Sequence, residues 1–294
     1  MSTNPTVSPS PPAKRKKITI LTLLEKKKRN EVVSMLTAYD YPTALSIDRA
    51  EIDVILVGDS LGMVVLGYKN TLPVTMEEML HHCRAVARGV SYALLVGDMP
   101  FMSYQVSDQE AVRNAGRFLQ EAGMDTVKLE GGRERSEAIH SIVSAGIPVM
   151  GHLGLTPHSV HQLGGFRGQG RNARAAKRLL EDALILEDAG CFSIVLEAIP
   201  SKLGKLVSER LSIPTIGIGA GPHCDGQVLV THDVLGLFDR FTPRFVKKYT
   251  DFHAEMERAF SEYRADVENK QFPGQEHSFE MADDEWESLL NEIE

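Results

Sequence analysis

The chain has 294 residues, 43% of them hydrophobic, enough for one large α/β domain with a sizeable core. Its formal charge of −8 argues against a nucleic-acid-binding surface, which is ordinarily a basic face. No apolar run approaches the roughly 20 residues that cross a bilayer, and Cys83, Cys191 and Cys224 lie far apart without a CxxC spacing; this suits a reducing, cytoplasmic setting and supports neither a disulfide framework nor a cysteine-rich zinc site.

Residues 1–17, MSTNPTVSPSPPAKRKK, carry prolines, serines and a basic cluster but no acid. This composition reads as a disordered tail. A mitochondrial transit peptide is the alternative, although the amphipathic arginine helix of such segments is missing. Short apolar runs then alternate with longer amphipathic stretches. The candidate strands are 32–39, 53–59, 92–98, 126–131, 147–153, 192–198, 213–219 and 227–233, rich in Val, Ile and Leu nearly throughout. Such runs suit strands covered on both faces. Between them, 75–89 opens with Thr75 and Glu78 in capping-box spacing and ends at Gly89. Stretches 107–123, 136–146 and 173–190 read as helices in the same way, each ending in glycine before the next strand. The alternation predicts a (β/α)8 TIM barrel over 18–267. An open doubly wound sheet is the alternative, but it more often carries a glycine-rich fingerprint after its first strand, where this chain has TAYDYP. Residues 268–294 form an acidic C-terminal extension, in which Trp286, Leu289, Leu290 and Ile293 recur at helical spacing.

In such a barrel the active site lies at the C-terminal ends of the strands. Those ends carry Asp40, Asp59 and Ser60, Asp98, Lys128 and Glu130, His152, Glu197 and Asp233 in chain order. Each has an ordinary reading: an aspartate after a strand commonly caps a helix or forms a turn, and that explanation suits Asp40 and Asp233. The convergence of Asp59, Asp98 and Glu130 is harder to explain that way, because three unpaired carboxylates on consecutive strands would repel. A divalent cation relieves the repulsion; oxygen ligation favours Mg²⁺, and Mn²⁺ shares the same chemistry. Lys128 and Glu130 point to one face of their strand, as an internal ion pair or as a substrate contact beside the metal shell. GIGAGP (217–222) reads as a rim turn or a phosphate cradle, and LGGFRGQGR (163–171) as an ordinary loop, a lid or an anion contact. His152, His158 and His161 have no zinc-helix spacing, since Pro157 starts a helix between them.

Several long segments, among them TAYDYPTA, LVGDSLGMVVLGY, VGDMPFMSY, VKLEGG, PVMGHLGLTPHSVHQLGG, SIVLEAIP and PTIGIGAGPHCDGQVLV, resemble the ketopantoate hydroxymethyltransferase family in order, from about Ile18 to Tyr249. One departure is Gly168, where the resemblance leads one to expect a bulkier apolar residue such as valine. The resemblance implies a barrel of the pyruvate/phosphoenolpyruvate type. It implies transfer of a hydroxymethyl group from 5,10-methylenetetrahydrofolate to the 2-oxo acid 3-methyl-2-oxobutanoate. The product is 2-dehydropantoate, formed through a magnesium-stabilised enolate on the route to pantothenate and coenzyme A. Matched residue by residue, Asp59 and Asp98 fall on magnesium ligands and Glu130 on the third acid of the metal site. Asp59, Ser60, Asp98, Lys128 and His152 fall on substrate contacts, and Glu197 on the general base. A homo-oligomer, often a decamer, is also implied. Two other readings are a magnesium-dependent C–C lyase or mutase of the same superfamily and a non-catalytic metabolite-binding barrel. No cysteine here sits in the Gly/Lys-rich loop typical of the first, and the second leaves the clustered carboxylates without a role.

Overall fold

The computed structural model describes residues 15–159, 168–238 and 241–293. The expectations for the tail before residue 15, for His161 and for the first part of the 163–171 loop lie outside the described residues. Eight parallel strands close into a barrel in chain order: β1 (Val33–Thr37), β2 (Val54–Val57), β3 (Leu94–Asp98), β4 (Thr126–Glu130), β5 (Val149–Gly154), β6 (Ser193–Glu197), β7 (Thr215–Ile218) and β8 (Gly226–Leu229), with β8 pairing back onto β1. Helix α1 (Ile20–Lys28) precedes the barrel. The connections hold α2 (Tyr41–Arg49), α3 (Leu61–Val64), α4 (Met76–Gly89), α5 (Asp108–Gln120), α6 (Ser136–Ser144), α7 (Ala173–Asp188) and α8 (Ser201–Arg210). The expected capping box of α4 is present, with Thr75 and Glu78 bonded reciprocally. At the start of α5, Ser107 Oγ accepts the Glu110 amide at 3.2 Å.

Two places differ from the pattern in the sequence. Residues 219–225 join β7 to β8 without a helix, and the run 227–233 does not stay extended. β8 ends at Leu229 and Thr231–Val234 form a single turn, α9. Thr231 is tied sideways to β1: its amide donates to Thr37 Oγ1 and its hydroxyl donates to the Thr37 carbonyl. That tie satisfies polar groups that would otherwise need another strand partner.

Alternation along the strands sorts the core into two shells. Val54, Leu56, Leu94, Val96, Met150, Val195, Ile216 and Val228 belong to the interior cluster, while Ile55, Val57, Leu95, Val127, Leu129 and Ile194 belong to the outer cluster with the helices. Leu23 of α1 is fully buried with the interior set. Lys26 and Lys27 of the same helix pair with Asp53 at 2.6 Å and Asp225 at 2.7 Å, closing the N-terminal end. The C-terminal end is thereby left for a site. Beyond α9, helices α10 (Phe252–Glu268) and α11 (Asp283–Ile293) bury no residue in the single chain. No helix among the described residues is long and apolar enough to cross a membrane.

Candidate active site

Strand parity brings the polar residues together. The inward positions that carry Val96 on β3 and Val195 on β6 run on to Asp98 and Glu197; the corresponding tips of β4 and β5 carry Lys128, Glu130 and His152. Register then sets the pairs, with Asp98 opposite Lys128 and Glu130 opposite His152. Lys128 Nζ lies 2.8 Å from Asp98 Oδ1, and His152 Nδ1 lies 3.4 Å from Glu130 Oε1. The other ring nitrogen, His152 Nε2, is 3.2 Å from Glu197 Oε2.

Asp59 is on the wrong parity, since Leu56 faces the interior and Val57 the helices. A strand continued to residue 59 would send its carboxylate outward. The turn after Val57 prevents this. Asp59 N–H donates to Asp98 Oδ2 at 3.2 Å, and Asp59 Oδ2 accepts from His158 Nε2 at 2.8 Å. The turn also presents Ser60, whose Oγ is 2.8 Å from the Tyr39 hydroxyl. Asp59, Ser60, Asp98, Lys128, Glu130, His152 and Glu197 all line one cavity of about 400 Å³. Five of these seven are buried; Ser60 and Glu197 are half-buried, and the Glu197 side chain keeps 17% of its surface exposed. The backbone around Glu197 is tightly placed. Ala198 after it has φ 50, and Gly154 on β5 has φ 100. A Cβ on Gly154 would come 2.1 Å from the Glu197 carbonyl, so only glycine lets the strands approach this closely.

Two residues join the site that strand-end spacing did not single out, and a third, Asp233, expected as a cap or turn former, proves to line the cavity. His158 follows β5 in a short 3-10 turn and is buried. Tyr104, after β3, accepts the Glu130 amide at 3.1 Å and lies 2.9 Å from His158 Nδ1. Asp233, on α9, also lines the cavity and is buried. The usable signal for His158 was its position just past a strand end, on the functional rim, rather than any ligand spacing. Asp40, by contrast, is the α2 cap, its Oδ1 accepting the Thr43 amide at 2.8 Å. Gly219 and Gly221, at φ 64 and 84, form the β7–β8 rim turn.

The electrostatics are those of crowded acids. Burial raises the Asp98 pKa and Asp59 and Glu130 add to the rise, against the opposing Lys128 ammonium. Burial also pushes Asp59 upward, but the His158 hydrogen bond and the His158 and Lys128 charges outweigh it, so Asp59 falls below the usual carboxylate range. Burial and Lys128 work against protonation of His152; Glu130 and Glu197 prevail and raise it to about 9. One ligand atom each from Asp59, Glu130 and His158 gather within 4.8 Å of one another. Asp98 Oδ1, despite its ammonium neighbour, has no hydrogen bond of good geometry. An under-satisfied carboxylate beside a hard-oxygen cluster with one imidazole fits a divalent cation such as Mg²⁺ or Mn²⁺.

Comparison with known proteins identifies the family. A profile described as "Ketopantoate hydroxymethyltransferase" matches residues 17–275. The chain belongs to the ketopantoate hydroxymethyltransferase family. Two relatives named 3-methyl-2-oxobutanoate hydroxymethyltransferase are those of Syntrophomonas wolfei, 56% identical over 91% of this chain and 97% of the relative, and Syntrophobacter fumaroxidans, 58% identical over 94% and 97%. As a member of the family this chain is an enzyme of the transferase class. Solved structures similar in fold include a phosphoenolpyruvate phosphomutase from Streptomyces platensis subsp. rosaceus, with TM-score 0.59, 14% identity and coverage of 86% of this chain and 88% of the other. A 2,3-dimethylmalate lyase of the PEP mutase/isocitrate lyase superfamily aligns with TM-score 0.56 and 13% identity over 90% and 91%. At these identities the likeness concerns the fold alone, a closed eight-stranded (β/α)8 barrel.

Proposed function

We infer that this hydroxymethyltransferase moves a one-carbon unit from 5,10-methylenetetrahydrofolate to 3-methyl-2-oxobutanoate, giving 2-dehydropantoate for pantothenate and coenzyme A synthesis. The observation that carries the reading is the open carboxylate of Glu197, facing the same cavity as Lys128, Ser60 and the acid cluster. Asp59, Asp98 and Glu130 would hold the divalent cation; His158, bonded to Asp59, and Tyr104, bonded to the Glu130 amide, would fix their positions. A cation so held supplies Lewis acidity towards a 2-oxo carboxylate.

The chain's own groups do the remaining work. Lys128 offsets the negative charge that develops as the 2-oxo acid becomes an enolate, and the Ser60 hydroxyl and His152 orient the substrate. Glu197 takes the proton from the branched carbon next to the carbonyl, and His152, 3.2 Å away, holds its carboxylate in line. The carbon so exposed forms its new bond to the methylene carbon of the donor. Both C–N bonds of that methylene break, water provides the hydroxyl oxygen and keeps one proton on it, and the other water proton and the one taken by Glu197 go to the two nitrogens of the departing tetrahydrofolate. The free, buried state of Cys83, Cys191 and Cys224 supports a cytoplasmic location. The apolar stripe of α10, bare in the single chain, supports a homo-oligomer.

The test is proton exchange. Wild-type protein with Mg²⁺ and 3-methyl-2-oxobutanoate in D₂O, without folate, should lose the branched-carbon proton signal by NMR. Glu197→Gln should slow that loss by at least about a hundredfold. Exchange at the wild-type rate in the variant removes Glu197 as the base, and absence of exchange in the wild type removes the enolate.

A further inference from the structure

A second cavity of about 500 Å³ adjoins the first and shares Gly168, Ala198, Arg244 and Phe245 with it. Its chemistry is the reverse of its neighbour's. The acid-lined cavity holds four carboxylates of the strand tips, whereas no carboxylate is among the described residues lining the second. Arg171 and Arg244 face it instead, and neither has an ion-pair partner among the described residues. In a chain of net charge −8, two solvent-exposed guanidinium groups beside a hollow with no carboxylate among its described lining residues make a local positive patch.

The hollow is also built. An ideal Cβ on Gly168 would lie 3.0 Å from the Ala198 carbonyl and 3.1 Å from Arg171 Nη2, so the guanidinium rests against the chain at the passage between the cavities. On the other side the rim turn is pressed onto the start of α8, where a Cβ on Gly221 would come 2.1 Å from Ser201 Oγ. The α8 N-terminus has no side-chain cap and no acid in its first turn, which leaves the positive end of its dipole unopposed. Glu197, the proposed base, directly precedes Ala198, which lines both cavities. A reactant spanning them would therefore place one end at the reacting carbon and an anionic end on the arginines.

We propose that this second cavity is an anion subsite in which Arg171 and Arg244 bind the glutamyl carboxylates of the folate donor. The subsite rests on the transfer reading above. The pterin end then occupies the Glu197 side of the passage, and the tail leaves past Gly168. Guanidinium groups suit this task because each presents paired N–H donors to a carboxylate.

The experiment compares two donors on the magnesium-loaded full-length enzyme: methylenetetrahydrofolate with a glutamyl tail, and the methylene adduct of 6-methyltetrahydropterin, which has none. Arg171→Ala and Arg244→Ala should each raise KM for the glutamylated donor on the order of tenfold. Kinetics with the tailless donor and folate-free exchange in D₂O should stay at wild-type values. Calorimetric binding of tetrahydrofolate triglutamate should weaken in the same variants and, in the wild type, should weaken with added salt. Arg171→Lys and Arg244→Lys should recover part of the affinity. An unchanged KM and binding constant in the double alanine variant would overturn the subsite, as would an equal loss with both donors. Wild type that exchanges the proton yet makes product with neither donor would instead overturn the folate reading, and the subsite with it.

Discussion

Asp59 and Asp98 lie in one buried cluster, yet their pKa values move in opposite directions. The difference is local: Asp59 has a hydrogen-bonded imidazole at 2.8 Å, while Asp98 has a Lys128 ammonium that does not offset burial and two neighbouring acids. Replacing either with asparagine should weaken Mg²⁺ binding by at least about tenfold in calorimetric titration. Stability without metal should change less. Asp98→Asn removes a source of repulsion, and Asp59→Asn loses one charged hydrogen bond, about 1–2 kcal/mol. Metal titrations equal to wild type would remove these residues as ligands. Asp233 permits a test with pH, because burial raises it to about 6. Between the unfolded carboxyl value of about 4 and the folded value, the folded chain keeps a proton that the unfolded chain has released. This group therefore costs stability as pH rises through that window. Asp233→Asn should lack the loss, so its urea midpoint should gain on the wild type from about pH 4 to about pH 6.5 and then level off. A constant difference across that range contradicts the assignment.

At the scale of elements, the site depends on where strands stop and how they face. The identity of Asp98, Lys128, Glu130, His152 and Glu197 as rim residues was legible, because each lies at or near the C-terminal end of a strand-like apolar stretch and parity fixes its direction. Asp59 was legible as a rim residue but not its route inward, which depends on a turn made after β2. His158 and Tyr104 were not legible, since their roles come from contacts with partners 99 and 26 positions away in the chain. The mistaken extension of β8 to Asp233 has the same origin: the bonds from Thr231 to Thr37 cross 194 positions. The approach of β5 to β6 gives a test at this level. Gly154→Ala forces a methyl into the Glu197 carbonyl and a left-handed φ onto alanine. It should cost at least about 2 kcal/mol in denaturant unfolding. It should also lower kcat more than KM, because the displaced backbone carries the base; a variant with wild-type kcat would show that the contact is relieved elsewhere.

At the scale of the whole molecule, an apolar face lies bare on α10. Phe252, Met256, Phe260, Tyr263 and Val267 of α10 are all exposed in the single chain and recur at helical spacing. Contiguous apolar faces of this kind mark association surfaces in soluble proteins. Size-exclusion chromatography with light scattering should give a mass several times that of one chain. Met256→Glu with Phe260→Glu should lower the mass while leaving far-UV circular dichroism intact. A monomeric wild type would refute the homo-oligomer.

The sequence by itself determined the barrel and the end of it that carries chemistry, because alternation, capping and strand-end acids are local properties written at short range; the family followed from the likeness of its long ordered segments. Tertiary structure alone decided that Asp59 turns back to meet His158, that Lys128 faces Asp98 across a strand register, and that two arginines share a cavity with no carboxylate among its described lining residues, beside the acids. Those are distances between residues far apart in the chain, and a charge has a defined energy only once its neighbours and its exclusion from water are fixed in space.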